Sequence, residues 1–150
     1  MIYITPDNKK RANSKYKSIF FGGTIDNGDS INWQVELSKL LEQLNINIYS
    51  PRRLQWNPNF TNDELSNQIR WEQKHLDKAN IIIMVLLDDS KSPISLLELG
   101  LYAKSKKMIV FCTDKFYRYD NVRLTCEKYN IPLINSTNID IIAKNIISYI

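Results

Sequence analysis

Apolar positions along the chain form short continuous runs that alternate with stretches of helical spacing. The run Asn80–Leu87 is the most apolar and predicts a strand buried on both faces of a sheet. Four shorter runs predict further strands at 17–22, 46–49, 107–112 and 131–134. The intervening segments predict helices at 31–44, 61–78, 92–106, 121–129 and 138–150, with an irregular Pro-, Asn- and Arg-rich loop ending at residue 60. This alternation predicts an α/β fold with a five-stranded, mostly parallel sheet covered on both faces, a three-layer sandwich.

The predicted elements make up one domain. A chain of 150 residues with 43% hydrophobic residues can bury a single core without disulfides or metals. Residues 1–16 precede the first confident strand; Met1–Thr5 is a candidate for an additional edge strand. The basic residues that follow, from Lys9 to Lys17, predict a solvated, mobile loop.

Composition excludes several classes of function. The single histidine, His75, rules out a Ser-His-Asp triad and a His-rich metal site, and it is expected on a helix surface. Cys112 and Cys126 lack metal-type spacing, and no metal is expected. The chain has no signal peptide or apolar stretch of transmembrane length, so a soluble, intracellular protein without membrane contact is expected. The net charge of +4 suits an anionic small molecule, and no nucleic-acid-binding motif accompanies it.

Glu98 is the leading candidate for chemistry. Ser92 and Pro93 predict a helix start directly after the buried strand, with Ser92 as N-cap and Pro93 in the first turn. Glu98 then lies about two turns into that helix, near the carboxyl end of a central strand, where open α/β sheets bind their ligands. A carboxylate flanked by leucines costs free energy unless it is paired or used.

Two further segments are expected at the same edge of the sheet. The Gly22-Gly23-Thr24 turn lets backbone N–H groups approach a ligand closely. Asp88 and Asp89 end the central strand and act either as turn formers or as partners of Glu98. Several carboxylates around one crevice repel each other, which raises pKa values and suits acid/base or nucleophilic chemistry at an anomeric carbon.

Other candidates each have two interpretations. Glu72 either pairs with a basic side chain on the helix surface or faces the crevice and contacts a base. Trp71 is either a core residue or a stacking surface. Arg52 and Arg53 either hold a phosphate or carboxylate bidentately or are solvent-exposed.

The chain resembles the nucleoside 2-deoxyribosyltransferase-like family, particularly its short phage and bacterial branch. The matching segments span roughly residues 18 to 135. They are Phe20-Phe21-Gly22-Gly23-Thr24-Ile25, Asp29 to Trp33, Tyr49-Ser50-Pro51-Arg52-Arg53, Gln68-Ile69-Arg70-Trp71-Glu72, Ser92-Pro93-Ile94, Leu97-Glu98-Leu99-Gly100, and Arg118 with Asn121-Val122. Together these segments are similar to the family in order and spacing.

The resemblance implies a doubly wound, flavodoxin-like or Rossmann-like fold and cleavage of the N-glycosidic bond of a nucleoside or nucleotide. Glu98 would attack the sugar C1′, Glu72 would contact the departing base, and a second base or water would resolve the glycosyl-enzyme. Asn121 would complete the site of a neighbouring subunit, which implies a homo-oligomer. Trp33 lies within a matching segment and is expected near the substrate.

The sequence departs from the family at Ser92, where the better-known transferases carry an aspartate. Asp88 or Asp89 could substitute for it, and Ser92 with the helix N-terminus could hold a 5′-phosphate. No cofactor is expected, because a glycosyl-enzyme stores the activation. The alternatives are a nucleoside 5′-monophosphate N-glycosidase, an NAD-cleaving hydrolase, or a non-catalytic nucleotide sensor. The expected location is the cytoplasm of a bacterium or of a phage-infected cell.

Overall fold

The computed structural model describes residues 1–57 and 59–150, so Pro58, within the predicted irregular loop, lies outside the described residues. The strands are β1 (Ile2–Ile4), β2 (Lys17–Gly23), β3 (Ile46–Tyr49), β4 (Ile81–Leu86), β5 (Met108–Cys112) and β6 (Leu133–Ile134). The helices are α1 (Trp33–Leu40), α2 (Asn62–Lys78), α3 (Pro93–Tyr102), α4 (Tyr119–Tyr129) and α5 (Ile139–Tyr149), and a short 3₁₀ turn spans Asp26–Gly28.

The strands form one sheet in the order β1-β3-β2-β4-β5-β6, and every pair of neighbours is parallel. The described sheet therefore has six strands. The prediction of five strands was wrong because it did not include the edge strand β1. Ile2 of β1 pairs with Asn47 of β3, so the candidate edge strand at the N-terminus is present. The basic segment that follows is exposed, but Asn47 anchors its end by donating to the carbonyls of Asn13 and Tyr16.

Alternate residues of the buried strands enter two separate cores. In β4, Ile82, Met84 and Leu86 pack under α2, α3 and α4, while Ile83 and Val85 pack under α1 and α5. This is the pattern expected of a strand covered on both faces, where side chains alternate and both sides are apolar. The predicted three-layer α/β architecture is confirmed.

The helices begin and end where capping groups and polar residues place their boundaries, which differ in part from those predicted by the apolar spacing. A capping box starts α2: the Thr61 hydroxyl accepts from the Glu64 N–H at 3.2 Å, and the Glu64 carboxylate accepts from the Thr61 N–H at 2.8 Å. The α3 helix ends at Tyr102 rather than near Lys106, because the residues after Ala103 are polar and Lys106 has a left-handed φ of 60°. Likewise α1 is shorter at both ends than the predicted 31–44.

Both glycines of the predicted turn lie inside β2, which corrects their assignment. Gly23 pairs with Val85 of β4 and has a φ of 131°, and a Cβ atom placed there would lie 2.0 Å from the Val85 carbonyl oxygen. The glycine is therefore required by close backbone packing, rather than by the approach of a ligand alone.

Gly23→Ala is expected to lower the free energy of unfolding by about 3 kcal/mol, because the methyl group meets backbone that cannot move aside. Urea denaturation measures the change. Gly100→Ala is the matched control: no atom lies within 4 Å of a Cβ at that helical position, so a gain of about 0.5 kcal/mol is expected. Equal denaturation midpoints for Gly23→Ala and the parent would contradict this account.

Candidate active site

The sheet order creates a crevice between the carboxyl ends of β2 and β4. The chain leaves β2 to add β3 on one side and then crosses to add β4 on the other side. Ligands of doubly wound sheets bind at such a reversal point, just beyond the strand ends. The segments that follow these two strands begin at Thr24 and Leu87, and they supply the polar groups described below.

Glu98 lies in the second turn of α3, on the face that also buries Ser95 and Leu99. Glu98 is 9% exposed, and its carboxyl group has no hydrogen-bond partner among the described residues. Burial, together with the charge of Glu72, raises the pKa of Glu98 to about 8. A large part of the Glu98 population is therefore protonated at neutral pH.

Glu72 is the charged neighbour of Glu98. It lies half-buried on α2, and burial raises the pKa of its carboxyl, while a hydrogen bond from Gln68 acts in the opposite direction. The Gln68 Nε2 group donates to Glu72 Oε1 at 2.8 Å. No lysine or arginine among the described residues forms an ion pair with Glu72, and its charge acts on Glu98. Its contact with a base remains a prediction.

Gln68 fixes the position of Glu72, and sequence reasoning missed it. Its Nε2 group also donates to the Pro51 carbonyl at 2.9 Å, and its Oε1 atom accepts from Arg53 Nε at 2.9 Å. Because Arg53 can only donate and Pro51 can only accept, the amide of Gln68 has one possible orientation. The Arg53 guanidinium lies 4.6 Å above the ring of Phe60. The spacing of Gln68 four residues before Glu72 on a helix was the available signal.

Arg52 stabilises the loop that follows β2 by hydrogen bonds to its backbone. Its side chain is 8% exposed and donates to the carbonyls of Gly28, Ser30 and Ile31 at 2.7–3.0 Å. A further contact joins it to the Ser30 hydroxyl at 3.3 Å. Solvent exposure was therefore the wrong expectation for Arg52, and both of its terminal nitrogens donate within the chain.

A chain of hydroxyl groups connects the ends of β2 and β4. Thr24 Oγ1 lies 2.6 Å from Ser92 Oγ, which lies 2.9 Å from Ser90 Oγ, and Ser90 Oγ donates to Asp26 Oδ1 at 2.7 Å. Ser92 occupies the predicted N-cap position, but it has a left-handed φ of 44° and its side chain makes no cap hydrogen bond. Sequence reasoning missed Asp26 and Ser90, whose role depends on loop conformation.

Aromatic residues beside the crevice are mainly packed against the protein. Trp33 is 2% exposed, lies against Phe21, and donates from its indole nitrogen to the Thr24 carbonyl at 2.9 Å. It therefore supports the end of β2. Trp71 packs on the core and stacks on His75 at 4.0 Å between ring centroids. His75 is half-buried, contrary to the expected surface position, because Tyr49 also contacts its ring.

Three of the expected site residues have exposed side chains. Asp88 and Asp89 are exposed, and Asp88 accepts a hydrogen bond from the Thr113 hydroxyl. The carboxylate acting on Glu98 is that of Glu72. Asn121 is exposed on α4 in a shallow depression with Thr125 and Lys128. Its contribution to a neighbouring subunit remains a prediction.

Two general features concern metal binding and membrane spanning. Across residues 1–57 and 59–150, no group of three or more His, Cys, Asp or Glu side chains is arranged to hold a metal ion. In the same ranges, no helix combines the length and apolar character needed to span a membrane.

The fold and the site define a doubly wound α/β protein whose ligand crevice holds two electrostatically coupled carboxyl groups. The chain belongs to the nucleoside 2-deoxyribosyltransferase-like family, whose model matches residues 16–116. This confirms the family that the sequence motifs resemble. Among curated proteins, none matches the chain.

Solved structures share the fold at low sequence identity. A conserved protein from Enterococcus faecalis V583 superposes with a TM-score of 0.65 at 11% identity, covering 90% of this chain and 99% of that one. The 2-deoxyribosyltransferase from Bacillus psychrosaccharolyticus superposes with a TM-score of 0.53 at 18% identity, covering 63% of this chain and 71% of that one. These likenesses confirm the predicted fold class.

Proposed function

We propose that this chain cleaves the N-glycosidic bond of a nucleoside-type substrate through a covalent glycosyl intermediate on Glu98. The observation that carries the proposal is the burial of Glu98 beside Glu72 at the reversal point of the sheet. Family membership supports the same chemistry. A buried carboxylate with few compensating contacts is a strong nucleophile once it is ionised, because little solvent has to be removed from it.

The first half-reaction forms an ester. A Glu98 carboxylate oxygen attacks the sugar C1′, the C1′–N bond breaks, and its electron pair leaves with the base. Glu72 in its acid form donates a proton to the departing base nitrogen, which avoids releasing a free anion. The proposed products of this step are a glycosyl-Glu98 ester, a neutral free base and an ionised Glu72.

The second half-reaction returns the enzyme to its starting state. A nitrogen of a second base, or the oxygen of a water molecule, attacks C1′ and displaces the Glu98 carboxylate. Glu72 accepts the proton lost by that nucleophile. Two displacements at C1′ give overall retention, as in retaining glycosidases. This scheme balances without any metal or organic cofactor.

The other predicted residues have supporting roles in this proposal. Gly22, Gly23 and Thr24 lie at the end of β2, beside the reversal point of the sheet, and Trp71 lies on the same helix as Glu72. Gln68 and Arg53 orient Glu72 and act through it rather than on the substrate. A homo-oligomer in which Asn121 reaches a neighbouring site belongs to the proposal as well.

Chromatography of reactions with a panel of nucleosides and nucleoside 5′-monophosphates tests the proposal. Free base is expected from the parent protein. A new nucleoside on addition of a second base would identify a transferase, whereas base release alone would identify a hydrolase. If no member of the panel is cleaved, yet its members raise the melting temperature, the proposal fails in favour of a non-catalytic nucleotide sensor.

A further inference from the structure

The hydroxyl chain at the crevice has a single possible direction for its hydrogen bonds. The Asp26 carboxylate can only accept, so the Ser90 hydroxyl must use its one proton to donate to it. The Ser90 oxygen then accepts from the hydroxyl of Ser92 at 2.9 Å, and also from the Ser92 N–H at 3.2 Å. Because the Ser92 proton is thereby used, the contact at 2.6 Å must be a donation from Thr24 to Ser92.

The other end of the chain agrees with this direction. The Leu87 N–H donates to Thr24 Oγ1 at 3.0 Å, so Thr24 accepts from the backbone and donates onward. All three hydroxyl protons are consumed within the protein. Each hydroxyl oxygen has two acceptor positions, so Thr24 and Ser92 each keep one. Toward a ligand these two side chains can therefore only accept a hydrogen bond.

Two members of the hydroxyl chain, Ser92 and Asp26, have an unusual backbone conformation. Ser92 has a φ of 44°, and Asp26 and Asn27 have φ values of 51° and 53°, in the left-handed region that non-glycine residues rarely occupy. Such strain persists where the surrounding structure enforces it, and it concentrates at functional sites. Here Arg52 enforces it by donating to the carbonyls of Gly28 and Ser30, at the end of the strained turn.

We propose that Asp26 is a specificity-determining residue, which sets the direction of the Thr24–Ser92–Ser90 hydroxyl chain so that the crevice accepts a hydrogen bond from a sugar hydroxyl and disfavours a phosphate. A sugar hydroxyl can donate to Ser92 or Thr24, whereas a phosphate finds only acceptor atoms and the negative charge of Asp26. Both terminal nitrogens of the neighbouring Arg52 already donate within the protein. This inference rests on the proposed function, and it reverses the expectation that Ser92 holds a 5′-phosphate.

The position of the chain relative to Glu98 suits a sugar. Ser92, Ser95 and Glu98 follow each other at intervals of three residues, and all three are buried on α3 or at its start. A rise of about 1.5 Å per residue separates Ser92 from Glu98 by about 9 Å along the helix axis. Two side chains and a pentose can bridge that span, with C1′ at Glu98 and a distal hydroxyl at Ser92.

Asp26→Asn tests the proposal with little risk to the fold, because asparagine tolerates the left-handed region and is nearly isosteric. Its amide can donate to Ser90, which allows the hydroxyl chain to reverse and to donate to a ligand. Calorimetric titration in a Glu98→Gln background, which prevents turnover, measures dissociation constants for thymidine, 2′-deoxycytidine and 2′-deoxyadenosine and for their 5′-monophosphates.

With aspartate at position 26, at least one nucleoside is expected to bind about tenfold more tightly than its 5′-monophosphate. Asp26→Asn is expected to reduce that ratio to about threefold or less. Asp29→Asn is the matched control, because it removes the same charge from the same loop without contacting Ser90, and it should keep the ratio. Ser90→Ala interrupts the hydroxyl chain without altering the turn. It should reduce the ratio of the two dissociation constants as Asp26→Asn does.

Three results would overturn the inference: equal or tighter binding of the monophosphates before any change at Asp26, an unchanged ratio in both Asp26→Asn and Ser90→Ala, or no nucleoside binding at all. Its failure can be distinguished from failure of the proposed function. If the protein with Glu98 intact releases base from a monophosphate and Glu98→Gln does not, the proposed chemistry stands and only the assignment of Asp26 fails.

Discussion

Replacing Glu98 with glutamine is expected to abolish base release and at the same time to stabilise the folded protein at alkaline pH. Turnover should fall by about 10³-fold or more, as is usual when a covalent nucleophile is lost. The stabilisation arises because the folded protein holds an ionised Glu98 at high pH without a hydrogen bond from the described residues. Glutamine has nearly the same shape and carries no charge to bury.

The pH dependence of this stabilisation follows from the raised pKa of Glu98. In the folded protein the pKa is about 8, against an ordinary value of 4.5, so the folded state binds the proton more tightly than the unfolded chain does. The resulting stability is fully present below pH 4.5 and is lost as the pH rises through 8. The free energies of unfolding of parent and Glu98→Gln should therefore nearly agree at pH 4.5 and differ by about 5 kcal/mol at pH 9.

Urea denaturation of both proteins at pH 4.5, 7 and 9 measures this difference, and initial rates of base release measure the loss of turnover. Glu127→Gln makes the same chemical change at an exposed position of α4 and should alter stability by less than about 0.5 kcal/mol at every pH. A stability difference independent of pH would show that Glu98 titrates normally. If Glu98→Gln loses turnover but is not more stable than the parent at pH 9, Glu98 is not in the buried environment described above.

The features that the sequence predicted correctly depend on apolar pattern. The run Asn80–Leu87 is so apolar that it is favourable only as a strand covered on both faces. Glu98, one and a half turns into the helix that follows, then has to lie near the edge of the sheet. Ser92-Pro93 also marked the helix start correctly. The same reasoning gave Met1–Thr5 only as a candidate edge strand and left it out of the five predicted strands, because the three residues Ile2–Ile4 carry too short a pattern to distinguish an edge strand from a loop.

The polar part of the site could not be predicted in the same way, because it depends on loop conformation. Asp26 reaches Ser90 only through two consecutive residues with positive φ, and no composition rule predicts such a turn at Asp26-Asn27. Arg52 could have bound a ligand on sequence grounds, and only the carbonyls arranged around it show that both of its terminal nitrogens donate within the chain. Asp88 was the more conspicuous carboxylate in the sequence, yet it lies beside Thr113.

The coupling of Glu72 to Glu98 leads to an expected pH profile for kcat/KM. The scheme needs Glu98 ionised and Glu72 protonated, so the active form of the pair carries one proton. Two interacting carboxyls lose their protons in two steps that belong to the pair, and the upper step lies near the pKa of about 8. Activity is therefore expected to rise from acid pH as the first proton leaves and to fall about tenfold per pH unit above 8, as the second proton leaves.

Glu72→Gln should remove the descending part of this profile. Without the acid, the rate at neutral pH is expected to fall by about 10²-fold. The pKa of Glu98 should fall as well, because the Glu72 charge that helps to raise it is gone, although burial still acts on it. The remaining activity then follows ionisation of Glu98 alone, rises with pH and reaches a plateau.

Two other titratable groups on α2 and α3 have pKa values shifted away from 8. Burial lowers the pKa of His75 below its ordinary value of 6.5 and raises that of Tyr102 above its ordinary value of 10. A descending limb near pH 8 in the parent can therefore be attributed to the two glutamates.

Steady-state kinetics from pH 5 to 10 on the parent, Glu72→Gln and Glu72→Asp make the decisive comparison. The aspartate variant keeps a carboxyl group and should restore the fall above pH 8, at a reduced maximum rate because its shorter side chain reaches less far toward the base. A parent profile that rises to a plateau above pH 8 would show that the base departs without a proton from Glu72, and Glu72 would then serve only to position the base. A fall that persists in Glu72→Gln would assign the acid to another group.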